Sequence, residues 1–92
     1  MQYEWDYKKN AANAKKHGIR FEDAVRIFEG DTVESLDENS NDEERWIAIG
    51  VTAGTEVVVV YVEKHEDVRR IISARGATRR ERERYWREIG GN

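Results

Sequence analysis

RWIAIGVTAGTEVVVVYVEKHEDVRRIISA, residues 45–74, is the stretch that decides the fold. It reads as three strands, Arg45–Val51, Glu56–Glu63 and Val68–Ala74, rich in β-branched and aromatic residues. Thr52-Ala53-Gly54-Thr55 separates the first two as a turn, and Glu63–Asp67 leads into the third. Val57 to Val62 is apolar almost throughout, which places that strand mid-sheet with both faces covered. The expected core is therefore an antiparallel meander. Upstream, Gln2–Trp5 is short and aromatic-rich, suited to an edge strand. Asp6 offers an N-cap, Tyr7–Lys16 is rich in alanine and lysine, and Gly18 suits a C-cap, predicting a helix over 7–17. Phe21, Ala24, Val25 and Phe28 fall on one helical stripe; Glu22 and Asp23 favour its N-terminus and Gly30 closes it. A short strand near Thr32–Leu36 leads into a polar loop up to Glu44. Downstream, Thr78 and Glu81 form a T-x-x-E capping box and predict a helix over 78–88, with Tyr85, Trp86 and Ile89 on its apolar side. Gly90-Gly91-Asn92 is expected to fray. The sum is an α+β chain, a single domain over residues 1–92, with two N-terminal helices, an antiparallel β-meander sheet and a C-terminal helix.

Hydrophobic and charged residues each make up 38% of the chain, so the core is small and the surface crowded with charge. The absence of cysteine excludes disulfides, thiolate metal sites and cysteine nucleophiles. No run approaches the roughly 18 apolar residues of a membrane span, and MQYEWDYKKN lacks the apolar stretch of a signal peptide, so a cytoplasmic location and no membrane partner are expected. No G-x-x-x-x-G-K-[ST], G-x-G-x-x-G or G-x-S-x-G motif is present, and neither a nucleotide loop nor a serine hydrolase is supported.

The charge is polarised. Residues 64–92 carry nine basic and five acidic side chains, net +4, whereas residues 31–63 carry one basic and nine acidic, net −8. Eight arginines lie between Arg69 and Arg87. Arginine forks onto phosphate with bidentate geometry, which makes this segment the place to look for a polyanion. A salt-bridged, solvated helix face accounts for the same composition. Arg79–Glu83, Glu83–Arg87 and Arg84–Glu88 are spaced for such pairs, while Arg75 and Arg80 have no obvious local partner. Strict alternation would put Arg69, Ile71, Ser73 and Arg75 on one face of the last strand and Arg70, Ile72 and Ala74 on the other. Arg75 at the strand end and Arg79 in the first helical turn, beside free N–H groups, would offer a phosphate a seat.

RNA cleavage by the 2′-hydroxyl needs no metal or other cofactor; it needs a base, an acid, and cations for the phosphorane charge. His17, in Lys15-Lys16-His17-Gly18, is one ordinary acid–base candidate, though a helix-capping histidine explains it as well. His65 sits among acids in a turn, and Lys16 and Arg80 add positive charge for RNA. Tyr85 suits the core on spacing alone, and Ser73 a plain strand position. His65, Glu66 and Asp67 are consecutive, so their side chains diverge, and no metal site is expected. A non-catalytic module holding nucleic acid or an acidic protein on the same arginines is the alternative. The acidic stretch 31–44 is a solvated loop, or steers RNA to the opposite face by repulsion.

Several motifs in order bring a family into view: Tyr3-Glu4-Trp5-Asp6, Asn13-Ala14-Lys15-Lys16-His17-Gly18, Phe21-Glu22-Asp23-Ala24, Glu43-Glu44-Arg45-Trp46, Ile49-Gly50, Arg70-Ile71-Ile72-Ser73-Ala74-Arg75, Ala77-Thr78 and Glu81-Arg82 to Tyr85. The chain resembles the BrnT toxins of BrnT/BrnA type II toxin–antitoxin modules nearly end to end. The resemblance implies a RelE-like α+β ribonuclease that cleaves RNA and arrests growth. It also implies neutralisation by a BrnA-like ribbon-helix-helix antitoxin, the complex binding its own operator DNA through the antitoxin. Carried over by position, the functional candidates are His17, Arg45, Arg70, Ser73, Arg75, Arg79 and Tyr85. Two positions depart from the pattern: Gly76 stands where the family often has Lys or Arg, and Arg20 where Ser or Thr commonly caps the second helix.

Overall fold

The computed structural model describes residues 1–40 and 43–90; Asn41 and Asp42 of the polar loop, and Gly91 and Asn92, lie outside them. Strand β1 (Gln2–Glu4) leads into helix α1 (Tyr7–His17). Asp6 accepts the Lys8 and Lys9 N–H groups at one end of α1, and Gly18 closes the other at φ 73°, donating to the Ala14 carbonyl. The second helix is only half α. After α2 (Phe21–Ala24) the chain tightens to a 3-10 segment, Val25–Glu29. The 3-10 turn adds Ile27 to Phe21 and Ala24 as the fully buried side chains, while Val25 and Phe28 of the 21/24/25/28 stripe pack half-buried against the same cluster.

Strands β2 (Val33–Leu36), β3 (Trp46–Thr52), β4 (Thr55–His65) and β5 (Val68–Gly76) form the meander, and α3 (Arg79–Gly90) ends it. The sheet order is β1-β5-β4-β3-β2. The meander is antiparallel, but β1 pairs with β5 in parallel, so the sheet is mixed rather than wholly antiparallel. The β3–β4 hairpin turns on two residues, Ala53 (φ 51°) and Gly54 (φ 75°), both left-handed as a type I′ turn demands.

Each face of the sheet has its own cluster. Against one face Phe21, Ala24 and Ile27 pack on Ala48, Val57, Val59, Tyr61, Ile71 and Ala74. The 3-10 segment approaches so closely that a Cβ on Gly50 would stand 2.7 Å from the Ile27 Cβ. On the other face, Tyr85 from α3 packs on Val33, Ile49 and Val58, flanked by Ala77 and Ile89. Central β4 touches both clusters, which is why its run of valines has no polar alternation.

β1 ends at Glu4, level with Arg70, and leaves the C-terminal half of β5 as an open edge. Asn13 of α1 takes over there. Its amide donates to the Ala74 carbonyl (2.8 Å) and accepts the Ala74 N–H (3.1 Å), as a neighbouring strand would. Asn13 also donates to the Ile19 carbonyl at 2.9 Å, and Asn10 accepts the Phe21 N–H at 2.8 Å, so two asparagines fix the α1–α2 corner.

Candidate active site

A β-bulge sets the phase of the arginine strand. In β5, Ser73 pairs with Val60 and Ile71 with Tyr61, leaving Ile72 as an extra residue. Alternation restarts after it. Ile71 and Ala74 therefore enter the same core cluster, and Arg70, Ser73 and Arg75 form one row on the opposite face, across from Val62, Val60 and Val58. This corrects the strict alternation, which groups Arg69 with Ser73 and Arg75. Arg69 lies on the helix-packed face, with its guanidinium 4.7 Å from the Phe28 ring centre and 4.6 Å from that of Tyr61. Its Nε is buried without a hydrogen-bond partner among the described residues, and its Nη2 lies 3.6 Å from Glu63.

The members of the row are held differently. Arg70 donates to Glu4 of β1 at 2.9 Å. Ser73 is half-buried, with no hydrogen bond from its hydroxyl among the described residues. Arg75 forks onto Glu81, with Nη1 to Oε1 at 2.8 Å and Nη2 to Oε2 at 2.9 Å. Glu81 also accepts the Thr78 N–H (2.8 Å) while its own N–H donates to Thr78 Oγ1 (3.2 Å), completing the capping box. The Arg75 hydrogen bond holds the Glu81 carboxyl down at about 2, so it is ionised at neutral pH. Arg75 thus has a partner that helical spacing does not reveal.

The family profile described as "Ribonuclease toxin, BrnT, of type II toxin-antitoxin system" matches residues 5–81. The chain belongs to the BrnT family. The crystal structure of the Brucella abortus ribonuclease toxin BrnT superposes with a TM-score of 0.65 at 26% identity, covering 86% of this chain and 100% of that one. No curated protein matches the chain. Family membership makes this a ribonuclease toxin of the type II class, with RNA as the substrate class and an antitoxin as partner. Among the described residues no helix is long and apolar enough to cross a membrane.

Against the BrnT expectations, the other candidates scatter. Arg79 opens α3, is 85% exposed and pairs loosely with Glu83 (3.1 Å). Arg80, beside it, is exposed with no ion pair among the described residues. Arg84 pairs with Glu88 at 2.7 Å, but Glu83 engages Arg79 rather than Arg87. Arg45 precedes β3, and its carbonyl accepts the Asp37 N–H, adding a rung to the β2–β3 ladder. Strand geometry, ~3.3 Å per residue and ~4.8 Å per strand, puts its Cα roughly 16 Å from that of Arg75, nearer Arg70. Tyr85 is buried, and its hydroxyl donates to the Asp31 carbonyl at 2.9 Å. Burial raises its pKa, and the hydroxyl's bond to Asp31 makes Tyr85 a core anchor of α3.

Lys16 and His17 are exposed in the last turn of α1, which packs against β5. No hydrogen bond or ion pair joins His17 to Ser73, Arg75 or Arg79 among the described residues. His17 lies one turn beyond Asn13 on the same side of α1, and Asn13 grips Ala74, between Ser73 and Arg75. Among the described residues no three His, Asp or Glu side chains gather as a metal-binding group. Asn13 and the Arg75-Glu81 fork were not foreseen. The T-x-x-E motif was a signal for Glu81, whereas nothing in the spacing marks Asn13.

Proposed function

We propose that this BrnT-family chain is a metal-independent, RelE-like endoribonuclease whose substrate lies across the face of β5 that carries Arg70, Ser73 and Arg75. The observation that carries the reading is the row Arg70–Ser73–Arg75, set in phase by the bulge and ending beside the start of α3. A phosphodiester there would meet Arg75, the Ser73 hydroxyl and the free N–H groups of the first α3 turn, where Arg79 and Arg80 add charge. These donors stabilise the phosphorane, whose extra negative charge exceeds that of the ground state. Arg70 extends the positive track along β5, Arg45 extends it across the sheet from the start of β3, and Lys16 adds charge from α1. His17, held near the edge through Asn13, supplies the proton transfer.

A ribbon-helix-helix antitoxin of the BrnA kind neutralises the toxin by covering this cationic face, and the pair binds operator DNA through the antitoxin. Incubation of purified protein with single-stranded RNA in EDTA tests the reading. Fragments are expected, and they should disappear when Arg75→Ala is used. RNA that is retained in a salt-sensitive complex but stays intact would instead establish a binding module.

A further inference from the structure

The Arg75 guanidinium carries five N–H hydrogens in one plane. Nη1 donates to Glu81 Oε1 (2.8 Å) and to the Gly76 carbonyl (3.2 Å), which uses both of its hydrogens. Nη2 donates to Glu81 Oε2 at 2.9 Å, which uses one. The Nε–H and the second Nη2 hydrogen have no partner among the described residues and lie side by side on a single edge of the guanidinium. That edge is the other bidentate fork of an arginine, matched to two oxygens of a phosphate. Glu81 cannot swing freely, because Thr78 holds it from both directions at the helix start. The Arg75 side chain is 38% exposed, so the remaining edge is within reach of solvent.

We propose that Glu81 is a positioning residue. It clamps Arg75 end-on so that the Nε/Nη2 edge alone is presented to the scissile phosphate. The inference rests on the reading above, that Arg75 meets that phosphate. Its consequence is a split in the kinetics. The Glu81 carboxylate opposes RNA electrostatically while orienting the cation that stabilises the transition state. Removing its charge therefore strengthens RNA binding and weakens turnover, whereas for a residue that only caps a helix turnover would stay unchanged.

Glu81→Gln tests this, since Gln serves a capping box as well as Glu. Single-turnover cleavage should slow by about tenfold or more, with RNA bound as tightly as by wild type or tighter at low salt. Gly50→Ala, which overpacks the opposite face of the sheet against Ile27, should lose thermal stability while its rate stays within about twofold of wild type. A Glu81→Gln rate within about twofold of wild type overturns the inference, as does a parallel loss of rate, affinity and stability. If Glu81→Gln does not fold, the Nε–H resonance of Arg75 in the wild-type protein decides. It should shift downfield on adding a 2′-deoxy oligonucleotide, and an unmoved resonance overturns the inference. Full activity of Arg75→Ala is a distinct outcome: it removes Arg75 from the site and the inference with it.

Discussion

Asn13→Ala should be among the most damaging single substitutions in this chain. Asn13 is 8% exposed, and its amide satisfies the N–H and C=O of Ala74 and the carbonyl of Ile19. Truncation leaves these groups without partners on an edge that β1 does not reach. An unmatched buried backbone group costs about 1–3 kcal/mol. Water entering the edge recovers part of that, leaving a net loss of roughly 3 kcal/mol. Against a total of about 5–15 kcal/mol this is a large fraction, and for a domain of this size it lowers Tm on the order of 12–24 °C. Urea titration gives the free energy, and hydrogen exchange gives the location. The Ala74 amide should be protected in wild type and exchange freely in the variant. A loss below about 1 kcal/mol, ordinary for an exposed site, or an unprotected Ala74 amide in wild type, would refute the edge-capping role.

Three further outcomes follow from the geometry. Ala53 holds φ 51°, so Ala53→Asn, which gives the turn its favoured Asn-Gly pair, should add about 0.5 kcal/mol in chemical denaturation; no gain would argue against the type I′ turn. Gly50→Ala forces a Cβ to within 2.7 Å of the Ile27 Cβ, and the overpacking should cost about 1–3 kcal/mol by the same assay; a neutral result would mean the 3-10 segment sits further out. The Glu81 carboxyl is held at about 2, below its ordinary 4.5, so its contribution is complete above that ordinary value and fades as pH falls toward 2. Because Arg75 is 38% exposed, the screened contribution is only about 1–2 kcal/mol. The stability gap between wild type and Glu81→Gln should therefore shrink between pH 5 and pH 2; a gap constant over that window would count against the fork.

Local chemistry made much of the architecture readable. Asp6 and Gly18 bound α1, Thr78 and Glu81 start α3, and Thr52–Thr55 turns the hairpin, because caps and turns are decided by residues close in sequence. The 3-10 segment was misread because Val25 and Phe28 fit a 3.6-residue period as well as Ile27 fits a period of three. The bulge at Ile72 was invisible for a different reason. A bulge answers to the partner strand, and Val60–Tyr61 gives no local sign of the extra residue facing it. That one residue decides whether Arg69 or Arg70 shares a face with Ser73 and Arg75. The Asn13–Ala74 contact spans 61 positions, and Arg75–Glu81 spans six across a strand end and a helix start. Neither has a periodic signature. Tyr85 was legible as core from its spacing; only its family position suggested chemistry.

Arg75, acting on RNA from the face of β5, is tested most directly against an arginine of equal charge elsewhere. Arg87, on the exposed last turn of α3, has no ion pair among the described residues and lies outside the row. Single-turnover cleavage of single-stranded RNA in EDTA should slow by at least about tenfold for Arg75→Ala, about 1.4 kcal/mol of transition-state stabilisation, and should stay within about twofold of wild type for Arg87→Ala. Equal rates for the two variants would contradict the account.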